Sequence, residues 1–489
     1  MICATAGDGP VGVDLHACLL KRQAAPAKSV LERDRNWTYA EFVSHAQQAA
    51  EYFRDNRIER VLIHLPQGFN AYVLIWAAYL AGTAFCTVGD NTPPIRRQRY
   101  LEAFQPDLVI SEEQFGASTT PSALFDRTAC CTSGPMDMAS YLDPDATAYV
   151  LFTSGSTGRP KGVMISRRSL EFVVAFALRE YAVDENDVWA QYSSIGFDLS
   201  VLDVFTAIAA GAAVVPIVSQ GDRLMPARLI ALHSITIWHS VPSAFELLDH
   251  SRRLTAETLA PLRLIIFCGE PLYPTLIAKI FTAKSDLLVY NTYGPTEATI
   301  FCTCQRLTAQ DFSTLSRDTV AIGRPIPGVG ISLDDSGDGV GELVISGTGV
   351  GKGYLGSTEQ YGYILEDGAT QPKAYRTGDF CRFAEDALYF VCRRDRQVKI
   401  SGNRVDLSEV DLALREAGCE AAVSVFDGQR ITSFVLCSAM SASELRQALS
   451  RQLPAYYLPA MIHICDSLPY SQSGKIDIAR LLEWAKSDG

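Results

Sequence analysis

The 489-residue sequence lacks an excess of basic residues, because 43 Lys and Arg stand against 55 Asp and Glu and give a formal net charge of -12. This balance disfavours binding to nucleic acid or to an anionic membrane surface. The N-terminus lacks a basic segment followed by an apolar core, so no secretory signal is expected. The expected location is therefore the cytoplasm, where thiols stay reduced.

Two further patterns are missing. The thirteen cysteines include no Cys-x-x-Cys pair, which disfavours structural zinc. The longest apolar stretch, residues 72–88, is interrupted by Gly82, so we expect a buried helix followed by a strand and no membrane span. With 48% hydrophobic and 20% charged residues, a chain of this length indicates a globular protein of two or more domains.

The order of local patterns predicts an α/β fold. Between about residues 61 and 290, short β-branched runs alternate with helical patterns, which is typical of a parallel sheet covered by helices. Ligands of such sheets bind at the carboxyl ends of the strands. Beyond residue 321 the chain becomes Gly-rich and strand-like, and a mixed pattern resumes after residue 396. We therefore predict an N-terminal domain, residues 1–394, of parallel α/β subdomains plus a small β-rich subdomain, and a small α+β C-terminal domain, residues 395–489.

Residues 148–162 form the strongest single motif, Ala-Tyr-Val-Leu-Phe-Thr-Ser-Gly-Ser-Thr-Gly-Arg-Pro-Lys-Gly. Glycines allow close approach of backbone amides, hydroxyls donate to phosphate oxygens, and a lysine adds positive charge. The motif lacks the Gly-Lys-Ser/Thr of a Walker A loop and differs from a dinucleotide fingerprint. A surface turn would explain any one of these residues, but the whole string predicts phosphate contacts by Thr153, Ser154, Gly155, Ser156, Thr157, Gly158 and Lys161.

Further motifs follow in order: Asn-Thr-Tyr-Gly-Pro-Thr-Glu at 291–297, Tyr-Arg-Thr-Gly-Asp at 375–379, Arg-Arg-Asp-Arg-Gln-Val-Lys at 393–399 and Gly-Lys at 474–475. Together with the phosphate motif, they resemble the motifs of the adenylate-forming superfamily, which includes acyl-CoA synthetases, luciferases and nonribosomal peptide adenylation domains. The resemblance extends over residues 37–482. It implies ATP and Mg²⁺ as cofactors and a mobile C-terminal lid that carries the catalytic lysine.

One turn offers most of what bound ATP needs. Tyr293 presents an aromatic face for adenine, Asn291 an amide, Thr296 a hydroxyl for the α-phosphate and Glu297 a carboxylate for the metal. Taken alone, Asn-x-Tyr-Gly-Pro is also an ordinary turn. By resemblance, Lys475 contacts the substrate carboxylate and the α-phosphate, so catalysis is assigned to Lys475, Thr296 and Glu297. The repulsion between two anions is then offset by Lys475, Thr296 and magnesium held by Glu297.

The resemblance assigns the remaining nucleotide contacts and the hinge. Asp379 is expected to accept hydrogen bonds from the ribose hydroxyls, Arg393 to contact ribose or phosphate, and Gly269 to border the nucleotide. Surface ion pairs are the alternative for Asp379 and Arg393. The hinge is expected at Asp395, although the charges around it also fit a solvated strand end.

Asp198 indicates the substrate class. By resemblance, it stands where amino acid-activating members hold the substrate ammonium, and a buried ammonium needs an opposite charge. Asp198 therefore favours an α-amino acid over the acids of acyl-CoA or aryl-CoA ligases, although a helix N-cap is its alternative role. The motif alignment also implies pocket residues Leu199, Leu202, His239, Ile266, Cys268, Thr292, Ile300 and Phe301.

These pocket residues imply a small cavity, and alanine of either configuration is the favoured substrate. Proline or another small amino acid of a natural-product pathway is the alternative, since the motifs resemble D-alanine-carrier protein ligases and free-standing adenylation domains. His239 either admits a polar side chain or is a hydrogen-bonded wall residue. Few residues follow Leu482, so we expect transfer in trans to the phosphopantetheine thiol of a separate carrier protein. A non-catalytic nucleotide-binding scaffold is less favoured because Lys161, Glu297 and Lys475 are all present.

Overall fold

The computed structural model describes residues 2–5, 12–23, 25–33, 35–112, 143–153, 160–335, 339–357, 362–366, 371–384, 387–393, 395–400, 402–469 and 476–487. The chain forms two compact units. The larger unit comprises residues 1–90, 104–151 and 163–392, and the smaller unit comprises residues 91–103, 152–162 and 393–489. The predicted functional division at residue 395 stays a prediction.

Helices begin and end where local chemistry predicts. Thr38 and Glu41 form a capping box at the start of the second helix, and Gly82 and Gly211 adopt left-handed conformations at the ends of the third and sixth. The helices of the described residues are α1 (Leu15–Leu20), α2 (Tyr39–Asp55), α3 (Phe69–Ala81), α4 (Pro94–Phe104), α5 (Arg167–Glu180), α6 (Asp198–Ala210), α7 (Gln220–Arg223), α8 (Pro226–His233), α9 (Pro242–His250), α10 (Ala256–Leu259), α11 (Pro274–Ala283), α12 (Leu407–Glu416), α13 (Ala442–Ser450) and α14 (Ile478–Ser487).

The strands of the larger unit include short, almost fully buried apolar runs, as expected for strands covered on both faces. Those of the described residues, of which β7, β8 and β21 include residues of the smaller unit, are β1 (Ile2–Thr5), β2 (Lys28–Leu31), β3 (Asn36–Thr38), β4 (Arg60–His64), β5 (Ala84–Thr87), β6 (Leu108–Ser111), β7 (Thr147–Thr153), β8 (Lys161–Ser166), β9 (Val188–Gln191), β10 (Ala213–Pro216), β11 (Ile237–Ser240), β12 (Leu264–Cys268), β13 (Leu288–Tyr293), β14 (Thr303–Leu307), β15 (Arg324–Pro325), β16 (Val329–Asp335), β17 (Val340–Gly347), β18 (Gly353–Tyr354), β19 (Tyr363–Ile364), β20 (Ala374–Ala384) and β21 (Ala387–Arg393).

Three sheets organise these strands. The largest has the order β15-β14-β13-β12-β11-β9-β10-β2-β3. Its consecutive strands β13, β12, β11, β9, β10 and β2 run parallel to one another. A second sheet has the order β18-β8-β7-β5-β4-β6. The third is the β-rich element, with the order β1-β16-β17-β20-β19 and β21 paired to β20. Its pairs β1/β16, β16/β17, β17/β20 and β19/β20 are antiparallel.

The faces of the nine-stranded sheet are buried in two different hydrophobic clusters, because side chains alternate along each strand. Ile237, Leu264 and Ile266 lie in one cluster together with the apolar residues of α6. Trp238 and Ile265, one position along, lie in the other cluster with residues of α8 and α11. Every second side chain of β11 and β12 therefore lies on the face that packs against α6.

The C-terminal part of the smaller unit is a separate α+β element. It contains the strands β22 (Gln397–Ile400), β23 (Asn403–Asp406), β24 (Ala421–Phe426), β25 (Ile431–Leu436) and β26 (Met461–Ile464) together with α12, α13 and α14. The first two strands pair with each other, and the last three form a sheet in sequence order. Its core includes Val405, Leu414, Val435 and Leu449.

The predicted fold class is confirmed. The apolar stretch at residues 72–88 is the body of α3 followed by β5, as expected. The mixed pattern expected after residue 396 is present, with helices α12 and α13 among its elements. Within the described ranges, every helix is too short or too polar to span a lipid bilayer.

Candidate functional site

Asp198 is the first residue of α6. Phe197, whose side chain makes no capping hydrogen bond, occupies the N-cap position, and Asp198 is an acidic residue of the first turn. The preceding loop is packed closely against β5 and its continuation. A Cβ atom at Gly196 would lie 3.0 Å from the amide nitrogen of Gly89, and the Thr87 hydroxyl donates to the Ile195 carbonyl. These contacts fix the loop that leads into Asp198 and so the point on the main chain from which its side chain extends.

Four of the predicted pocket residues lie on the face of the nine-stranded sheet that packs against α6. His239 pairs in register with Ile266, and Cys268 pairs with Thr292, which places the four residues on neighbouring strands. All eight are less than 9% exposed. The apolar members share one cluster, namely Leu199, Leu202, Ile266, Cys268, Ile300 and Phe301.

His239 is part of a buried hydrogen-bonding network. Its Nδ1 lies 2.5 Å from Oδ1 of Asp203, and the Trp189 indole donates to the same oxygen at 3.0 Å. Both His239 and Asp203 are at most 1% exposed. Burial raises the pKa of Asp203, and the nearby His239 and Trp189 oppose that rise. His239 is therefore held on one ring nitrogen by a carboxylate from α6, as a hydrogen-bonded wall residue requires.

The residue predicted to contact adenine and the residue predicted to contact ribose are hydrogen-bonded to each other. Tyr293, at the end of β13, donates from its hydroxyl to Oδ2 of Asp379 at 2.5 Å across 86 positions of sequence. Both side chains are buried. Burial raises the pKa of Tyr293, and the Asp379 carboxylate raises it further. Tyr293 therefore stays protonated and donates to Asp379.

Asn291 and Gly269 lie near the carboxyl ends of two neighbouring strands, β13 and β12. The Asn291 amide nitrogen donates to the Ala321 carbonyl at 2.9 Å, which fixes the orientation of the side-chain amide. Gly269 directly follows β12 and has a φ of 92°, a left-handed conformation that favours glycine. The carboxyl ends of β12 and β13 thus carry both predicted nucleotide residues, as the rule for parallel sheets predicts.

Glu297 is enclosed by tyrosines. It lies 1% exposed in a short 3₁₀ helix, Thr296–Ala298, directly after the turn. The Tyr354 hydroxyl donates to Oε1 of Glu297 at 2.9 Å, and the Tyr363 hydroxyl donates to the Glu297 carbonyl at 3.3 Å. The Tyr375 hydroxyl lies 3.4 Å from that of Tyr354. Thr296, the other predicted catalytic residue of this turn, is half-buried.

The backbone that follows Glu297 is strained. Thr299 and Ile300 have φ values of 58° and 69°, which are unfavourable for β-branched residues. A Cβ atom at Gly294 would lie 2.4 Å from the Cα of Phe301, so the chain folds back on itself where only glycine fits. Such strain persists where surrounding contacts enforce it, and it concentrates at functional sites. Here the Thr299 hydroxyl donates to the Gly349 carbonyl at 2.6 Å.

The phosphate motif is described in part. Thr153 ends β7 and Lys161 begins β8, so the motif connects two strands of one sheet. Among the described residues, the buried Thr153 hydroxyl has no hydrogen-bond partner, as expected for a group that contacts a phosphate oxygen. Five predicted phosphate contacts lie outside the described residues: Ser154, Gly155, Ser156, Thr157 and Gly158.

In the smaller unit, two predicted residues pair with each other. The Arg393 guanidinium contacts Asp395 in a bidentate arrangement, with N···O distances of 2.6 and 3.0 Å. This pair ties the predicted ribose or phosphate residue to the predicted hinge. The catalytic lysine, Lys475, lies outside the described residues.

The described residues fit a magnesium ion carried by the nucleotide. Among them, no group of three or more His, Cys, Asp and Glu side chains is arranged to hold a metal by itself. Magnesium in nucleotide sites is commonly held by one or two carboxylates together with substrate phosphates. The buried carboxylate of Glu297 meets that requirement.

Sequence reasoning assigned no role to Asp203, Tyr354, Tyr363 or Tyr375. Tyr375 begins the motif at 375–379, and Asp203 lies five positions after Asp198, yet nothing in the local sequence indicates that Asp203 reaches a strand 36 positions away. Tyr354 lies 57 positions after Glu297 in a Gly-rich stretch. The available signal was the presence of four tyrosines between residues 354 and 375 in a segment otherwise poor in large side chains.

Comparison with known proteins gives consistent matches. The family model described as AMP-binding enzyme matches residues 20–355. The L-proline--[L-prolyl-carrier protein] ligase of Streptomyces coelicolor is 38% identical over 493 positions, which cover 91% of each protein. Syringomycin synthase SyrB1 of Pseudomonas syringae pv. syringae is 29% identical, over 94% of this chain and 80% of that protein.

A solved structure is similar throughout. The Vibrio cholerae adenylation domain AlmE, in complex with glycyl-adenosine-5'-phosphate, superposes with a TM-score of 0.83 and is 26% identical. The match covers 99% of this chain and 100% of that domain.

Proposed function

The chain belongs to the AMP-binding enzyme family, and from that premise we propose that it activates a small α-amino acid as an aminoacyl adenylate and transfers it to a carrier protein. The predicted membership of the adenylate-forming superfamily is confirmed, and the chain is an enzyme of the ligase type. Enzymes of this superfamily use ATP. The residue roles that follow are part of the proposal.

One observation carries the choice of an amino acid. Asp198 stands at the start of α6, and Leu199 and Leu202 of the same helix lie in the cluster with Ile266 and Phe301. A half-buried carboxylate beside an apolar cluster suits a substrate with an ammonium group and a small apolar side chain. An acyl-CoA or aryl-CoA ligase needs no such anion.

The reaction joins two anions, the substrate carboxylate and the α-phosphate of ATP. In the proposal, Asp198 holds the ammonium, Tyr293 and Asp379 hold adenine and ribose, and Thr296 donates to the α-phosphate. Lys475 supplies positive charge to both reacting groups, so that the carboxylate attacks in line and pyrophosphate leaves. No protein nucleophile takes part.

Magnesium belongs to this proposal as the ion that offsets phosphate charge when bound. Glu297 is the residue that would hold it, because its carboxylate is buried beside Thr296. Lys161 and Thr153 would contact the departing phosphates. Arg393 would assist at ribose or phosphate, and movement about Asp395 would exchange adenylation for thiol transfer.

Alanine remains the favoured substrate, and proline is the named alternative. The buried rings and branched side chains around the cluster, including Phe301 and Ile300, support a small side chain. The similarity to a proline-specific ligase supports proline. That relative and this chain match over nearly their whole lengths, which supports transfer to a carrier protein in trans. The expected cytoplasmic location stays a prediction.

The test is amino acid-dependent exchange of pyrophosphate into ATP, measured with the twenty amino acids and their enantiomers. We expect exchange with alanine or proline and none with fatty or aryl acids. Exchange supported only by a fatty or aryl acid would refute the amino acid assignment. Transfer is then measured as loading of the preferred amino acid onto a phosphopantetheinylated carrier protein added in trans.

A further inference from the structure

Glu297 is held both at its backbone carbonyl and at its carboxylate. Its backbone carbonyl accepts from the Gly351 amide at 2.8 Å and from the Tyr363 hydroxyl at 3.3 Å. Its carboxylate accepts from the Tyr354 hydroxyl at 2.9 Å. The Gly351 amide holds the main chain without either tyrosine hydroxyl, and only the Tyr354 hydroxyl of these three donors contacts the carboxylate.

Tyr354 is itself fixed in place. It lies in β18, where it pairs in register with Val163 of β8, and it is 5% exposed. Its ring packs edge-on against Tyr363 with centroids 5.2 Å apart, and its hydroxyl lies 3.4 Å from the hydroxyl of Tyr375. The Tyr354 hydroxyl is therefore a buried, packed donor to the Glu297 carboxylate.

Orientation of this carboxylate matters because magnesium requires nearly ideal octahedral geometry. A metal-binding carboxylate that is hydrogen-bonded by a neighbouring side chain loses little conformational freedom on binding, and loss of such a partner typically weakens metal affinity. We propose that Tyr354 is a positioning residue that orients the Glu297 carboxylate to hold the magnesium ion of bound ATP. The inference rests on the proposed function, in which Glu297 is the metal ligand.

The chain provides a matched pair of variants. Tyr354→Phe removes the hydroxyl that contacts the carboxylate, and Tyr363→Phe removes a hydroxyl of the same aromatic cluster that contacts the carbonyl. We expect Tyr354→Phe to raise the magnesium concentration for half-maximal exchange by about tenfold to a hundredfold. High magnesium should restore the lost activity, and the KM for the amino acid should stay unchanged. Tyr363→Phe should leave the magnesium requirement unchanged.

A binding measurement tests the role of Tyr354 without relying on pyrophosphate exchange. Mn²⁺ is titrated into the enzyme with a non-hydrolysable ATP analogue, and free Mn²⁺ is followed by electron paramagnetic resonance. We expect weaker binding in the Tyr354→Phe complex than in wild type and in Tyr363→Phe. Equal Mn²⁺ affinity in all three proteins, or an equal magnesium requirement, would overturn the role of Tyr354. A wild-type enzyme that binds Mn²⁺ with the analogue but exchanges no pyrophosphate would refute the proposed function alone.

Discussion

Replacement of Asp203 by alanine is expected to destabilise the larger unit strongly. The Asp203 carboxylate is 0% exposed and accepts from two buried donors, the Trp189 indole and His239 Nδ1. Alanine accepts from neither. Because the surrounding side chains of α6 and β11 are buried, water cannot replace the missing acceptor without opening the cluster.

The magnitude follows from the number of donors. Each buried polar group left unsatisfied costs about 1–3 kcal/mol, so the two donors predict a loss of about 2–6 kcal/mol in the free energy of unfolding. His239→Leu removes one of the donors. The loss of unfolding free energy in the double variant should therefore be smaller than the sum of the losses in the two single variants. The difference should be about 0.5–3 kcal/mol, as is typical of residues in direct contact.

The assay is urea unfolding at neutral pH followed by tryptophan fluorescence, to which Trp189 contributes directly. Wild type, the two single variants and the double variant complete the cycle. Two results would refute the reasoning: an Asp203→Ala protein within about 0.5 kcal/mol of wild type, as for an ordinary surface change, or single losses that simply add in the double variant.

Three further predictions concern the site and pH. Lys475→Ala should abolish pyrophosphate exchange and change the unfolding free energy by less than about 0.5 kcal/mol; unchanged exchange would contradict its assigned role. Asp198→Ala should weaken amino acid binding by about 3–5 kcal/mol through loss of a charge partner, with the KM for ATP unchanged; unchanged amino acid affinity would contradict it. Burial acts to raise the pKa of Asp187, but Arg263 and nearby donors outweigh it, so the pKa is lowered. Its ionised form therefore stabilises the fold above the unfolded-state pKa, and that stability is lost as the pH falls through the lower folded-state value. Urea unfolding between about pH 5 and pH 2 should show a shallower decline in Asp187→Asn than in wild type, and identical slopes would contradict this account.

Much of the architecture was predictable because its causes are local. Alternating β-branched runs and helical patterns predicted the parallel sheet covered by helices, and the apolar stretch at 72–88 predicted α3 followed by β5. The phosphate motif was recognisable because glycine, hydroxyl and lysine residues perform their chemistry within a few positions of one another. Motif order alone indicated the adenylate-forming superfamily, which the family match confirms.

The side-chain partnerships were decided by tertiary structure. Tyr293 and Asp379 are 86 positions apart, and Glu297 and Tyr354 are 57 apart. Such pairs depend on which strands are neighbours, on their register and on a strained turn at Thr299, none of which is encoded in a short window of residues. The linear sequence thus determined which chemical groups the protein possesses. Only the packed sheets determined which donor meets which carboxylate, because a hydrogen bond needs its atoms about 3 Å apart whatever their distance along the chain.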